Sequence, residues 1–110
     1  MSLYGDYVKE RLGDFILETD YGFATYRYIN DKKTVYVVDL FVIPEMRKKG
    51  LASDLTDKIV EIAKKEGATE LWGTVSPQAV NPTDSIKALL AYGMTFLSST
   101  EQIIIFRKDI

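Results

Sequence analysis

Val35–Gly67, VYVVDLFVIPEMRKKGLASDLTDKIVEIAKKEG, runs from an apolar strand through a short basic loop with one glycine directly into an amphipathic helix. That order of elements suits an anion. The first amides of a helix have no helical acceptor and point along its axis, where the summed peptide dipoles add partial positive charge. Gly50 lets the backbone come close to a ligand, and Arg47, Lys48 and Lys49 surround the loop with cationic donors. Upstream of the loop, Thr34–Ile43 is a nearly continuous apolar run and reads as a central strand covered on both faces. Its one charge, Asp39, is read as a buried carboxylate, either paired structurally or part of a substrate site. Pro44 cannot donate to a ladder, so the strand stops or splays there.

Downstream, Leu51–Glu66 places Leu51, Leu55, Ile59, Ile62 and Ala63 on one stripe, with Asp54, Asp57, Lys58, Glu61, Lys64 and Lys65 on a solvated face. Gly67 ends the helix. Thr69–Val75 is the next strand, and strand, helix, strand in that order demands a parallel pair joined by a crossover. Before this unit, Tyr4–Leu12 has the spacing of a short helix, and Phe15–Glu18 and Phe23–Ile29 read as strands around a turn at Asp20-Tyr21-Gly22. After it, Asn81-Pro82-Thr83-Asp84 looks like the start of a helix that carries Ile86, Leu89, Leu90 and Tyr92 to Gly93. Met94–Leu97 and Gln102–Lys108 read as a closing pair of strands around a turn at Ser98–Glu101.

Composition narrows the chemistry. The chain has 110 residues, 46% hydrophobic and 27% charged, which supports one globular domain with one modest core. A net charge of −2 argues against a surface devoted to nucleic acid. Neither cysteine nor histidine is present, so thiolate chemistry, the commonest general base and the commonest metal ligand are absent together. Acid–base work falls to Asp, Glu, Tyr, Lys, water or backbone, and no metal is expected. No apolar run approaches the ~20 residues that span a bilayer, and no signal peptide is evident, so a cytoplasmic protein with no membrane partner is expected.

The loop Arg47-Lys48-Lys49-Gly50-Leu51-Ala52 resembles [QR]-x-x-G-x-[GA], the pyrophosphate loop of the GNAT superfamily of N-acetyltransferases. It follows Val42-Ile43-Pro44-Glu45, like the V-x-P-E that precedes it in that family. Ser85-Ile86-Lys87 and Tyr92-Gly93-Met94 resemble the family's S-I-R followed by L-G-F, with Asn81 one residue early for an asparagine that often stands before it. Asp39-Leu40-Phe41-Val42 resembles the D-L-[FY]-V of members that acetylate small amines such as polyamines.

The resemblance implies a single GNAT-like α/β (α+β) domain: a mixed sheet, mostly antiparallel with a central splayed parallel pair, flanked by three helices. It implies acetyl-CoA as cosubstrate, a primary amine as acceptor, and direct attack of the amine on the thioester in a ternary complex. Phe41 and Val42 would bond the pantetheine arm through their backbone, Lys48, Lys49, Gly50, Leu51 and Ala52 would offer amides to the pyrophosphate, and Arg47, Asn81 and Ser85 would join the cosubstrate site. A backbone N–H near Leu40 and Phe41 would stabilise the developing oxyanion. Two positions depart from the pattern. The family's frequent tyrosine acid falls on Leu89, leaving Tyr92 as the nearest tyrosine. The strand carboxylate falls near Tyr36 or Val38, leaving Asp39, which simple alternation turns to the opposite face unless a bulge intervenes. Asp39 and Tyr92 are thus the candidate catalytic residues, and a non-catalytic acyl-CoA-binding or regulatory domain is the competing reading. One N-terminal helix stands where members commonly carry a strand and two helices. Either the acceptor groove is open, which favours a large acceptor such as a protein amine, or a second subunit of a homodimer completes it.

Overall fold

The computed structural model describes residues 14–77 and 82–110, of which 82–85 are described by their backbone alone. Six strands form one sheet in the order β1-β2-β3-β4-β6-β5. They are β1 (Phe15–Thr19), β2 (Gly22–Ile29), β3 (Thr34–Val42), β4 (Glu70–Val75), β5 (Thr95–Ser99) and β6 (Ile104–Asp109). Every neighbouring pair is antiparallel except β3 and β4, which run parallel. The mixed sheet with its central parallel pair is the expected architecture. Among the described residues two α-helices accompany it, α1 (Leu51–Lys65) and α2 (Pro82–Ala91). The expected helix at Tyr4–Leu12 lies outside the described residues.

Alternation in β4 shows how the core is built. Leu71, Gly73 and Val75 are buried on one face while Glu70, Trp72 and Thr74 are half-buried on the other. Leu71 and Val75 join Ala24, Tyr26, Val35, Met94 and Phe106 in the core, where α1 contributes Ile59 and Ala63. Leu55 and Ile59 are fully buried, one turn apart. Each such side chain contributes about 2 kcal/mol relative to leaving it in water. The apolar stripe is narrower than the sequence pattern implies, since Ile62 is exposed. Opposite the helices, Arg27 Nη2 donates to Asp14 Oδ2 at 2.9 Å, and Nε lies 2.6 Å from Oδ1 outside hydrogen-bonding alignment.

Two irregularities position the site. The pairing of β2 with β3 steps from Thr25↔Asp39 to Tyr26↔Val37, which leaves Val38 unopposed as a β-bulge. Ala24 and Tyr26, both in the core, stand opposite Leu40 and Val37, so those two share the helix-covered face. Asp39 therefore turns to the other face together with Tyr36. The second irregularity is a divergence. β3 and β4 pair only from Thr34↔Glu70 to Val37↔Gly73. Beyond that, β3 stays with β2 as far as Val42 while β4 stays with β6 as far as Val75. A cleft opens between them.

At the far edge, β5 runs two residues further into the expected turn, with Ser98 and Ser99 paired to Ile105 and Ile104, while β6 begins at Ile104, two residues later than the expected Gln102. Serine is no barrier to an edge strand, and every residue of β5 is exposed.

Candidate functional site

The cleft begins with backbone groups that β4 has left behind. Ile43, just past the end of β3, donates its N–H to the carbonyl of Tyr21, just before β2, at 2.8 Å, so by strand parity Val42 and Leu40 turn theirs to the opposite edge, facing the cleft. One group of each residue is held by a side chain of the same segment. The Val42 carbonyl accepts from Arg47 Nε at 2.9 Å, and the Leu40 N–H donates to Asp39 Oδ1 at 2.9 Å. Phe41, 40% exposed, stacks on Phe23 with ring centroids 5.7 Å apart and carries the Arg47 guanidinium 5.5 Å from its own centroid.

At the mouth of the cleft the chain makes a 3₁₀ turn, Pro44–Met46, and enters α1 through two left-handed residues, Lys48 (φ 64°) and Gly50 (φ 79°). Gly50 is the N-cap and no side chain caps the helix. The first helical bond runs from the Asp54 N–H to the Gly50 carbonyl, so the amides of Leu51, Ala52 and Ser53 have no helical acceptor. Arg47, Lys48 and Lys49 are exposed around them. Unpaired helix amides ringed by cations are an arrangement that can take a multiply charged anion, and a Cβ on Gly50 would meet nothing within 4 Å.

Behind this mouth the cleft encloses about 350 Å³. Val38, Asp39 and Leu40 line one side, Trp72 and Thr74 the other, and Ala52, Ser53 and Thr56 extend the lining from α1. Tyr36 and Thr74 share a hydrogen bond of 3.1 Å between their hydroxyls, the two being on the same face of neighbouring strands. An acyl chain with amide groups fits a channel with such a lining, and its amides would meet β3's free edge as an added strand does.

Asp39 is exposed, not buried as the apolar run around it implies. The bulge at Val38 is the physical reason: it takes the carboxylate out of the core face and sets it beside the cleft. Tyr92, just after α2, also lines the cleft, with its hydroxyl donating to Asp57 Oδ1 on α1 at 2.5 Å. Lys108 Nζ lies 4.7 Å from the centre of the Tyr92 ring and donates to its carbonyl at 3.0 Å. Burial, then the bond to Asp57, hold the Tyr92 hydroxyl well above the ordinary tyrosine pKa. Asp57 itself belongs to the helix face read as merely solvated. The two residues are 35 apart, and no local pattern announces their meeting.

Tyr92→Phe tests this tie. Loss of one hydrogen bond at a half-exposed site is expected to cost on the order of 0.5–1 kcal/mol near neutral pH. The native state favours the neutral hydroxyl, so its contribution is complete below the unfolded pKa near 10 and fades as pH rises beyond it. The wild type should therefore lose more stability than Tyr92→Phe between about pH 9 and 11, as read by urea denaturation at each pH.

Of the other expected cosubstrate residues, Val42 is buried, Leu51 half-buried, and Lys48, Lys49, Gly50 and Ala52 exposed around the start of α1. Ser85 falls in α2, where its side chain is not described, and Asn81 lies outside the described residues. Among the described residues no helix is long and apolar enough to cross a membrane.

Comparison with known proteins agrees with this geometry. An acetyltransferase from Bacillus subtilis, solved in complex with CoA, superposes with a TM-score of 0.72 at 18% identity, over 96% of this chain and 83% of that one. The PaiA N-acetyltransferase from Thermoplasma acidophilum, in complex with coenzyme A, gives 0.77 at 20% identity over 98% and 69%. The anti-CRISPR protein AcrVA5 gives 0.68 at 17% identity over 84% and 96%. At these identities the likeness is one of fold. The family model for the acetyltransferase (GNAT) family matches residues 6–82. That match takes in more than half of the sequence, and the chain belongs to the GNAT family of acetyltransferases.

Proposed function

We propose that this chain is an N-acetyltransferase that moves the acetyl group of acetyl-CoA to a primary amine by direct attack in a ternary complex, without a metal. The observation that carries the reading is the parallel pair that separates after Val37 and Gly73 and opens onto an uncapped helix start ringed by three cations. Relatives of the same fold solved with coenzyme A support the choice of cosubstrate. The amides of Leu51, Ala52 and Ser53 with Arg47, Lys48 and Lys49 would hold the pyrophosphate, and the cleft edge at Leu40 and Val42 would receive the pantetheine arm. A cytoplasmic setting goes with this proposal, since acetyl-CoA is an intracellular metabolite.

Both residues named from the sequence keep a place in this reading. Asp39, exposed at the cleft, receives the proton of the attacking amine, a role that typically contributes 10²–10⁴-fold in rate. Tyr92, tied to Asp57, orders the wall of the cleft against which the reactants are aligned. The competing reading, an acyl-CoA-binding domain without turnover, draws on Leu89 standing where the family pattern has a tyrosine.

The two separate in one experiment. Free thiol released from acetyl-CoA is followed with diamines, small primary amines, a lysine-containing peptide and a peptide with a free N-terminus, beside calorimetry of CoA binding. Transfer to any of these above the acceptor-free rate is expected. Binding of CoA with transfer to none converts the protein to a binding domain.

A further inference from the structure

The bond between Asp39 and the Leu40 N–H lies where the proposed reaction would need that N–H for something else. Leu40 presents its amide to the edge that β4 leaves, the cleft edge along which a thioester would lie, and the amide is engaged at 2.9 Å by the carboxylate of the preceding residue. We propose that the Asp39 carboxylate is a stand-in for the thioester carbonyl: it holds the Leu40 N–H in the free protein, and cosubstrate binding takes the N–H over and releases the carboxylate to accept the amine's proton. The inference rests on the acetyl-CoA reading above.

Three observations support the exchange. The bulge at Val38 is what makes the contact available, because with simple alternation Asp39 would face the core side of the sheet and Leu40 the other. Asp39 is exposed, so its carboxylate moves off the amide into water and carries no desolvation penalty. The same device occurs two residues on, where Arg47 holds the Val42 carbonyl on the same edge at 2.9 Å. One acidic and one basic side chain thus each engage one group of the strand edge that lost its neighbour, and both are hydrogen bonds that an incoming amide-bearing chain replaces in kind. In the step that follows, the amine nitrogen forms a bond to the acyl carbon and the carbon–sulfur bond breaks. Its electron pair leaves on sulfur, and the proton lost by nitrogen goes to the Asp39 carboxylate.

Calorimetry of acetyl-CoA and of CoA, which has the same anchor but no carbonyl, tests the exchange on wild type, Asp39→Ala and Asp39→Asn. Removing the competitor should let Asp39→Ala bind acetyl-CoA about 3- to 10-fold more tightly relative to CoA than the wild type does. Asp39→Asn keeps an acceptor oxygen and should keep the wild-type ratio. Transfer should fall in both variants by about 100-fold or more. An acetyl-CoA to CoA ratio in Asp39→Ala equal to or below wild type overturns the exchange while leaving the acetyl-CoA reading in place. Undiminished transfer by Asp39→Ala overturns the released carboxylate as base. Failure of the wild type to bind either ligand overturns the acetyl-CoA reading itself, and the exchange with it.

Discussion

Gly50→Asp is expected to weaken coenzyme A binding about 100-fold or more, equivalent to about 2.7 kcal/mol, while the protein still folds. A Cβ at this position meets nothing within 4 Å, so the substitution brings no clash with the chain itself. The cost to folding is that of one non-glycine residue at φ 79°, about 1 kcal/mol, and aspartate is among the residues that tolerate the left-handed region best. The effect on the ligand is larger for two reasons. The new carboxylate sits against the free amides of Leu51, Ala52 and Ser53 and competes for them, and its charge repels the pyrophosphate in the confined mouth of the cleft. Gly50→Ala separates the contributions, since it carries the backbone cost without the charge and should lose far less affinity. Isothermal titration with CoA reads both variants. Wild-type affinity in Gly50→Asp would remove this loop from the site.

The second large effect is on stability. Gly22 opens β2 opposite Val42, and a Cβ there would stand 2.0 Å from the Phe41 carbonyl oxygen and 3.0 Å from both the Phe41 carbonyl carbon and Val42 Cα. All three are backbone atoms and have no rotamer to give. Gly22→Ala must therefore push the end of β2 away from β3, with an expected loss of about 3 kcal/mol. At roughly 4–8 °C per kcal/mol for a domain near this size, the thermal midpoint should fall by about 12–24 °C. Because Phe41 and Val42 are also the cleft edge, the variant should bind CoA more weakly even well below its midpoint. An unchanged midpoint would mean that the β2–β3 end yields without cost.

Much of this arrangement was readable from residues alone, and the exceptions have physical causes. The central unit was legible because each signal is local. An apolar run gave a strand at Thr34–Ile43 against the observed Thr34–Val42, and the helix read at Leu51–Glu66 is Leu51–Lys65. Gly50 at the left-handed N-cap is the residue that a glycine in that loop implies. The bulge at Val38 was not legible, because it is a relation between two strands, one residue more in β3 than in β2, and no alternation within β3 reveals it. That single insertion decides the position of Asp39. The meeting of Asp57 with Tyr92 and the capping of Val42 by Arg47 were hidden for the same reason: each is set by how elements dock, not by what they are.

The seam between β3 and β4 is only four residue pairs long, Thr34↔Glu70 to Val37↔Gly73, and everything else in the sheet is antiparallel. Mechanically the domain is therefore two blades, β1-β2-β3 with α1 packed mainly on β2 and β3, and β4-β6-β5 with α2 packed on β4. A small rotation about the seam would change the width of the cleft without breaking any antiparallel ladder. The Asp57–Tyr92 hydrogen bond joins α1 of one blade to the residue that follows α2 in the other, which would make it a tether on their relative angle.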